Sequence, residues 1–283
     1  MKTGMVFEGG AFRTVFSCGV MDAFLDLDIM PNYIIGVSAG AAYGTSYVSK
    51  QKGRNLTLIK EYCNDKRYMG IGNLLNPKNK CYYGLKFAYE TIPTEILPFD
   101  YDTYRANPVD FYATVTNVET GEAEYLLYDV NQVPSKTLIA TCALPMLFPI
   151  VKIKGKQYLD GGISDSIPFK KALEDGCDRV VVVLTRQPDY RKTTSGSTKL
   201  AAKMYSKYPA LAKALLNRAD NYNRCLDELA EYEKEGKVIV IRPDSTDGFS
   251  RMEKDKAKIQ ALYDDGFKKG MDYGDRIKEF FNV

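Results

Sequence analysis

The sequence predicts an α/β protein with a three-layer α/β/α architecture and a mostly parallel central sheet. Three observations predict it. The first fifty residues alternate strand, helix, strand, helix, the pattern of parallel βαβ units. Arg179 to Thr185 is a nearly continuous β-branched run, suited to a strand buried on both faces. Lys237 to Arg242 reads as a late strand returning to the same sheet. The expected organisation is a first domain over residues 1–190, with a mainly helical extension over 191–283 that packs on and completes its sheet.

Gly4 to Glu8 is the first strand, followed at once by Gly9-Gly10. From Arg13 the pattern turns helical. Phe16, Val20, Phe24 and Leu27 recur at helical spacing, with Gly19 beside that face, where it would let the helix pack close to the sheet. Pro31-Asn32 ends the helix, Tyr33 to Val37 forms a short strand, and a small-residue helix runs from about Ala39 to Lys50. Asn55 to Asn107 reads as mostly helical. Val109 to Val118 and Ala123 to Tyr128 flank a Glu-Thr-Gly-Glu turn and predict a hairpin. Pro134 to Cys142 reads as a helix. Val151–Ile153 and Gln157–Leu159 flank a second tight turn, and Ile167 to Glu174 is a short helix. Gln187 to Thr198 is polar and rich in turn formers, and is expected to be a mobile linker. Further on, Leu200, Met204, Tyr208, Leu211 and Leu215 form an apolar stripe beside Lys199, Lys203 and Lys207, interrupted by Pro209. Packing on the core is the preferred explanation; a basic amphipathic helix on an anionic membrane is the other.

Of 283 residues, 45% are apolar, enough for a substantial core, and 27% are charged, as in soluble globular proteins. A net charge of +3 does not suggest nucleic-acid binding, which usually brings a strong basic excess. The six cysteines form no C-x-x-C pair and the chain has no histidine, so nothing supports a metal site, and no cofactor is expected. Cysteines within apolar stretches fit a reduced, cytoplasmic setting. The N-terminus lacks a signal-peptide apolar region, and the longest apolar stretch, Thr137 to Val151, is broken by Pro145 and Pro149.

Gly36-Val37-Ser38-Ala39-Gly40 has the spacing G-x-S-x-G, with a strand before and a small-residue helix after. That is the context of a nucleophile elbow, which lifts a serine hydroxyl above the sheet edge. The other reading is a glycine-flanked turn with a capping serine. A serine needs a neighbouring base, and without histidine another side chain must serve. Asp160-Gly161-Gly162 follows a strand and offers a carboxylate at a sheet end, where open parallel sheets bind ligands. An aspartate, with a pKa of about 4, becomes a useful base if burial raises that value. D-G-G is otherwise ordinary turn chemistry. Asp165 competes, although it reads more naturally as a helix cap before Pro168. Ser49 and Lys52 match S-x-x-K but lack the companion motifs. After the first strand, Gly9, Gly10 and Ala11 could turn backbone N–H groups into an anion cradle, with Arg13 nearby. A dinucleotide loop is the rival, but the G-x-G-x-x-G fingerprint fails at Ala11 and Thr14.

Together these segments resemble the patatin-like phospholipase family, whose pattern is G-G-G-x-R/K-G, then G-x-S-x-G, then D-G-A/G, in that order. The flanking Gly19-Val20-Met21-Asp22-Ala23-Phe24, Ala143-Leu144-Pro145 and Ile163-Ser164-Asp165-Ser166-Ile167-Pro168 agree. The resemblance covers about residues 3–185 and departs from the pattern at Ala11 and Thr14, where glycines are expected. It implies a lipid or acyl-ester hydrolase with a Ser38–Asp160 dyad, an oxyanion hole at Gly9, Gly10 and Ala11 with Arg13 nearby, and motif glycines Gly36, Gly40, Gly161 and Gly162. It would make the absence of histidine expected. A lipid-binding or regulatory protein that keeps the fold and has lost turnover is the alternative. Peripheral membrane contact and oligomeric state stay open.

Overall fold

The computed structural model describes residues 1–282. In chain order the strands are β1 (Thr3–Phe7), β2 (Tyr33–Val37), β3 (Asp110–Asn117), β4 (Ala123–Leu127), β5 (Val151–Ile153), β6 (Lys156–Asp160), β7 (Arg179–Val183) and β8 (Val238–Ile241). The helices are α1 (Val15–Asp26), α2 (Ala39–Val48), α3 (Arg54–Tyr62), α4 (Ile71–Leu75), α5 (Tyr101–Ala106), α6 (Lys136–Thr141), α7 (Phe169–Glu174), α8 (Gly196–Met204), α9 (Pro209–Lys234), α10 (Lys256–Asp272) and α11 (Gly274–Phe281). A π-helical stretch, Phe87–Ile96, contains Pro93.

The strands form one mixed sheet. β3, β2, β1, β7 and β8 run parallel to their neighbours, and β4, β5 and β6 are antiparallel additions. The parallel strands are buried on both faces, which is why they read as apolar runs rather than alternations. Met5, Phe7, Ile34, Val181 and Val183 point to one face, under α1, α2 and α10. Val6, Tyr33, Ile35, Val180 and Val182 point to the other, under α7 and α9. Strand alternation thus divides the core into two slabs and gives the three layers that the sequence predicts.

Three expectations are corrected. Gly19 does bring α1 close to a neighbour, but the neighbour is α10: a Cβ on Gly19 would lie 2.1 Å from the Tyr263 carbonyl oxygen, and one on Gly266 would lie 2.0 Å from that of Phe16. The segment over 187–198 is fastened along α9 rather than hanging as a free linker. Lys192 N–H donates to Asn223 Oδ1 at 2.8 Å, Asn223 Nδ2 donates back to the Lys192 carbonyl at 2.9 Å, and Arg191 pairs with Asp227. The apolar stripe is divided between two helices. Pro209 starts α9 and redirects the chain, so Leu211 and Leu215 are buried, whereas Leu200 and Met204 on α8 are 53% and 60% exposed.

The α1–α10 contact yields a stability prediction. Gly19→Ala adds a methyl group against backbone. Overpacking costs about 1–3 kcal/mol, offset by about 1 kcal/mol of helix propensity. A net loss of about 1 kcal/mol is expected in urea unfolding; an unchanged midpoint would contradict the close approach.

Candidate active site

The site is built on β3. Its residue Thr114 is the parallel partner of Val37 at the end of β2, and the next residue, Val115, is the antiparallel partner of Asp160 at the end of β6. β4 already occupies the other edge of β3 over Tyr112–Thr116. β2 and β6 must therefore share one edge, meeting end to end. Ser38, immediately after Val37, and Asp160 are brought together by consecutive positions of a third strand.

Ser38 turns the chain from β2 into α2 with φ 53° and ψ −126°, in the positive-φ region that few non-glycine residues enter. Its carbonyl accepts from the N–H groups of Ala41 and Ala42, both at 3.0 Å. The flanking glycines follow from sterics. A Cβ on Gly36 would stand 2.5 Å from Ala41 Cα, and one on Gly40 would stand 2.3 Å from the Phe7 carbonyl oxygen. A clamp absent from the sequence reading holds the turn: Ser38 N–H donates to Thr141 Oγ1 at 2.9 Å, and that hydroxyl donates to the Thr114 carbonyl at 2.6 Å. Thr141 is fully buried, and nothing local in the sequence marks it out.

Asp160 is 2% exposed. Its Oδ1 accepts from Gly162 N–H at 2.8 Å, and its Oδ2 has no hydrogen-bond partner among the described residues. Burial raises its pKa. The Ser38 hydroxyl, the Arg218 charge, the Gly162 amide and the Lys192 charge oppose that rise. The hydroxyl is thus near the carboxylate, although no hydrogen bond closes between them. Gly161 is required here too, since a Cβ would meet the Thr114 carbonyl oxygen at 2.2 Å. Cys142 lies alongside, its thiol pushed up to about 12 by burial and by the Asp160 charge. Asp165 is turned elsewhere: it accepts from Tyr125 OH and from Ile167 N–H, while Pro168 rather than Asp165 precedes α7. Lys52 is paired with Asp26 at the surface.

Glu8 N–H continues the ladder to Val183, Phe12 N–H donates to the Arg251 carbonyl, and Arg13 N–H donates to that of Gly10. Among the described residues the N–H groups of Gly9, Gly10 and Ala11 find no acceptor. A Cβ on Gly9 would lie 2.8 Å from Ser38 Cβ, so this loop passes directly over the elbow. Ala11 occupies φ 50°, a left-handed conformation that costs a residue with a Cβ about 1 kcal/mol. Thr14 is fully buried, and its Oγ1 has no partner among the described residues. Arg13 contributes a buried guanidinium to this region. Burial and the Arg186 charge lower its pKa to about 10.

Two cavities meet at Ser38. One is largely apolar and aromatic, with Phe12, Tyr43, Leu58, Tyr89, Ile92 and Phe148 in its wall. The other is the more polar of the two and contains Glu8, Gly9, Gly10, Asp160 and several basic side chains. Ser38, Ala11 and Leu144 line both.

The chain thus carries an elbow serine and a buried carboxylate at adjoining strand ends of a mostly parallel, helix-flanked sheet. Residues 5–173 match the patatin-like phospholipase family, and the chain belongs to that family, whose class is lipid hydrolysis. Residues 208–282 match a domain of unknown function, DUF6363. The chain is 28% identical to the uncharacterized protein YjjU of Escherichia coli over 195 residues, covering 65% of this chain and 52% of YjjU. It is 23% identical to lysophospholipase NTE1 of Coccidioides immitis, covering 98% of this chain and 18% of that protein. The chain thus spans about half of one curated relative and under a fifth of the other. Among solved structures it is similar to VipD from Legionella pneumophila, with a TM-score of 0.45 and 14% identity over 97% of this chain and 67% of that one.

The clamp is testable. Thr141→Val keeps the shape but strands the Ser38 N–H and the Thr114 carbonyl, and should lower unfolding free energy by about 1–3 kcal/mol, while Thr141→Ser should retain most of it. Equal stability of the two variants in chemical denaturation would count against a clamping hydroxyl.

Proposed function

We propose that this protein is a carboxylic-ester hydrolase acting on lipid or other acyl esters. Ser38 Oγ attacks the ester carbonyl while Asp160 Oδ2 takes its proton. The amides of Gly9, Gly10 and Ala11 hold the oxyanion that develops, and Arg13 adds positive charge nearby. The alcohol departs with a proton from Asp160, leaving an acyl-enzyme. Water, deprotonated by the same carboxylate, then releases the acid. The observation that carries this reading is the β3 register, which brings the elbow serine near a buried carboxylate whose Oδ2 has no hydrogen-bond partner among the described residues. Hydrogen bonds of this kind are often loose without substrate and tighten on binding. The apolar cavity at Ser38 supports an acyl chain as the group held. The proposal includes the division into a hydrolase domain over 1–190 and an extension over 191–283. A cytoplasmic setting belongs to the same reading, supported by six free cysteines.

The second reading, a lipid binder without turnover, is favoured by Ala11, whose left-handed backbone would suit glycine better. One experiment separates the two. Under fluorophosphonate labelling with peptide mapping, an active enzyme labels at Ser38 and loses the label in Ser38→Ala. Asp160→Asn should slow ester turnover by about 10²–10⁴-fold. Labelling at another residue would sink the site assignment.

Asp160 also fixes a pH dependence. Its folded pKa lies above the unfolded value, so folding favours the protonated form. That contribution is complete below the unfolded pKa and is lost as pH rises through the folded one. At neutral pH the ionised group lowers stability. Asp160→Asn should therefore unfold at a higher temperature than wild type at pH 7 to 8, with the gap shrinking on acidification, whereas wild-type kcat/KM falls as acid protonates the base. Thermal scans across pH that show no such convergence would refute the assignment.

Peripheral contact with an anionic lipid surface belongs to the same reading. No helix among the described residues is long and apolar enough to cross a membrane. On α8, however, Leu200 and Met204 stand exposed beside the exposed Lys199, Lys203 and Lys207. Leu200→Ser with Met204→Ser should lower hydrolysis of a vesicle-borne ester several-fold more than that of a monomeric soluble ester. Equal effects on both would argue against surface docking.

A further inference from the structure

The polar cavity beside Ser38 holds more positive charge than its own carboxylates can balance. Arg13, Arg186, Lys192, Arg218 and Arg251 line it, against Glu8 and Asp160. The five come from separate parts of the chain: Arg13 from the turn after β1, Arg186 and Lys192 from the segment after β7, Arg218 from α9, and Arg251 from the loop before α10. Among the described residues none of them forms a salt bridge.

Glu8 does not neutralise them directly. One carboxylate oxygen accepts from Thr185 N–H at 2.7 Å and Thr185 Oγ1 at 3.0 Å, and the other accepts from Tyr222 OH at 2.8 Å. The cations are instead held by neutral groups. Lys192 Nζ lies 3.7 Å from the Tyr222 ring centroid, and the Arg186 guanidinium lies 4.3 Å from that of Tyr190. Arg218 Nε donates to the Gly162 carbonyl, two residues from Asp160. Arg13 is buried, and its Nε has no partner among the described residues. Desolvation and the neighbouring Arg218 charge bring Lys192 down to about 7, with Arg13 and Arg186 adding to the repulsion and Glu8 opposing it. Folding does not gather like charges around unpaired guanidinium and ammonium groups without an opposing term. An anion bound among them supplies that term.

The position of the cavity says which part of a substrate carries the anion. Ser38 lines both cavities, so an ester whose acyl chain fills the apolar side directs its alcohol portion into the basic side. We infer that this cavity recognises the head group of the substrate, and that the head group is a phosphomonoester dianion, as in a monoacylglycerol phosphate. A dianion offsets more of the excess of cations than a monoanion does, and planar guanidinium groups suit phosphate oxygens. A zwitterionic head group would press its ammonium into the same cluster, and an uncharged one would leave the cations unpaired. This inference rests on Ser38 as the nucleophile. Lys192 and Arg218 are assigned as specificity residues, contributed from outside the three recognised sequence motifs.

Binding and turnover test it separately. Ser38→Ala protein is titrated calorimetrically with inorganic phosphate, glycerol 3-phosphate, monoacylglycerol phosphate, the matching choline ester and the matching uncharged monoacylglycerol. Tighter binding of the acyl phosphate than of the choline or uncharged ester, by about 10- to 100-fold, is expected from charge-assisted contacts. Glycerol 3-phosphate and free phosphate should compete weakly. Added Lys192→Met and Arg218→Gln should bring the three acyl ligands to similar affinity. Binding of free phosphate with no preference among the acyl ligands would identify an anion site unconnected with the head group and overturn the inference, as would the absence of phosphate-dependent binding. With Ser38 intact, the ratio of kcat/KM for the acyl phosphate over the uncharged ester should fall at least tenfold in Lys192→Met with Arg218→Gln. Esters hydrolysed through Ser38 without head-group preference would defeat the head-group inference alone. Failure of Ser38 to label would defeat the hydrolase reading, while the calorimetry would still judge the anion site.

Discussion

Everything at the site depends on β3 being shared along one edge by two strands of opposite direction. β2 runs parallel to it and stops at Thr114; β6 runs antiparallel and begins its pairing at Val115. The junction brings the two strand ends to consecutive positions along one edge of β3. Ladder register fixes the backbone up to Val37 and through Asp160, and the Thr141 clamp holds the elbow that carries Ser38 beyond β2. A histidine between serine and carboxylate needs room for an imidazole ring. Under the proposed function the two strand ends, joined at consecutive positions of β3, leave the carboxylate to act on the hydroxyl with no intermediary. The lack of histidine in the chain is thus consistent with the geometry of the junction.

The same junction explains why the carboxylate is buried and why that is tolerated. A fully desolvated carboxylate is unfavourable unless something compensates its charge. The Gly162 amide does so directly, and the charges of Arg218 and Lys192 do so from the adjoining cavity. The balance falls on the side of desolvation, so the pKa rises. A raised value brings an aspartate nearer to the range in which a base works at neutral pH. Under the proposed function, stability is reduced at the position where reactivity requires it, the usual relation between active-site strain and fold stability. Ser38, with its left-handed φ, adds a second local cost, and the Thr141 clamp and the helix turn of α2 hold it in place.

Much of this was legible in the sequence. Apolar runs marked the parallel strands because such strands are buried on both sides, and the three glycine-bearing motifs marked places where backbone approaches backbone. Gly36, Gly40 and Gly161 each have a steric reason that G-x-S-x-G and D-G-G only hint at. What escaped was non-local. Gly19 signalled a close approach without naming the partner, since α10 lies some 240 residues on. Thr141 looked like any polar residue on a short helix. Segment 187–198 has linker composition, yet Asn223 on α9 supplies the bonds that pin it. Composition reports what a segment can do by itself; it does not report what the rest of the chain offers it. The apolar stripe from Leu200 to Leu215 was misleading for the same reason: its periodicity is real, but Pro209 assigns its halves to different surroundings.

The extension is therefore part of the site rather than a companion to it. β8 pairs with β7 in register over four residues and adds a strand to the sheet. α10 lies against α1 closely enough that glycine is needed on both sides, and α9 covers the opposite face. These contacts place Tyr222, Arg218 and Arg251 around the loop that follows β1. Tyr222 holds Glu8 at 2.8 Å, the Arg251 carbonyl receives Phe12 N–H at 3.1 Å, and Arg218 is bonded to Gly162. Each of the two loops that approach Ser38, Glu8–Arg13 and Asp160–Gly162, is thus fastened by a residue of the extension. A chain ending after β7 would keep the three motifs and lose the contacts that hold two of them in position. Under the proposed function the motifs supply the reactive groups, and the remainder of the fold determines the geometry in which they meet.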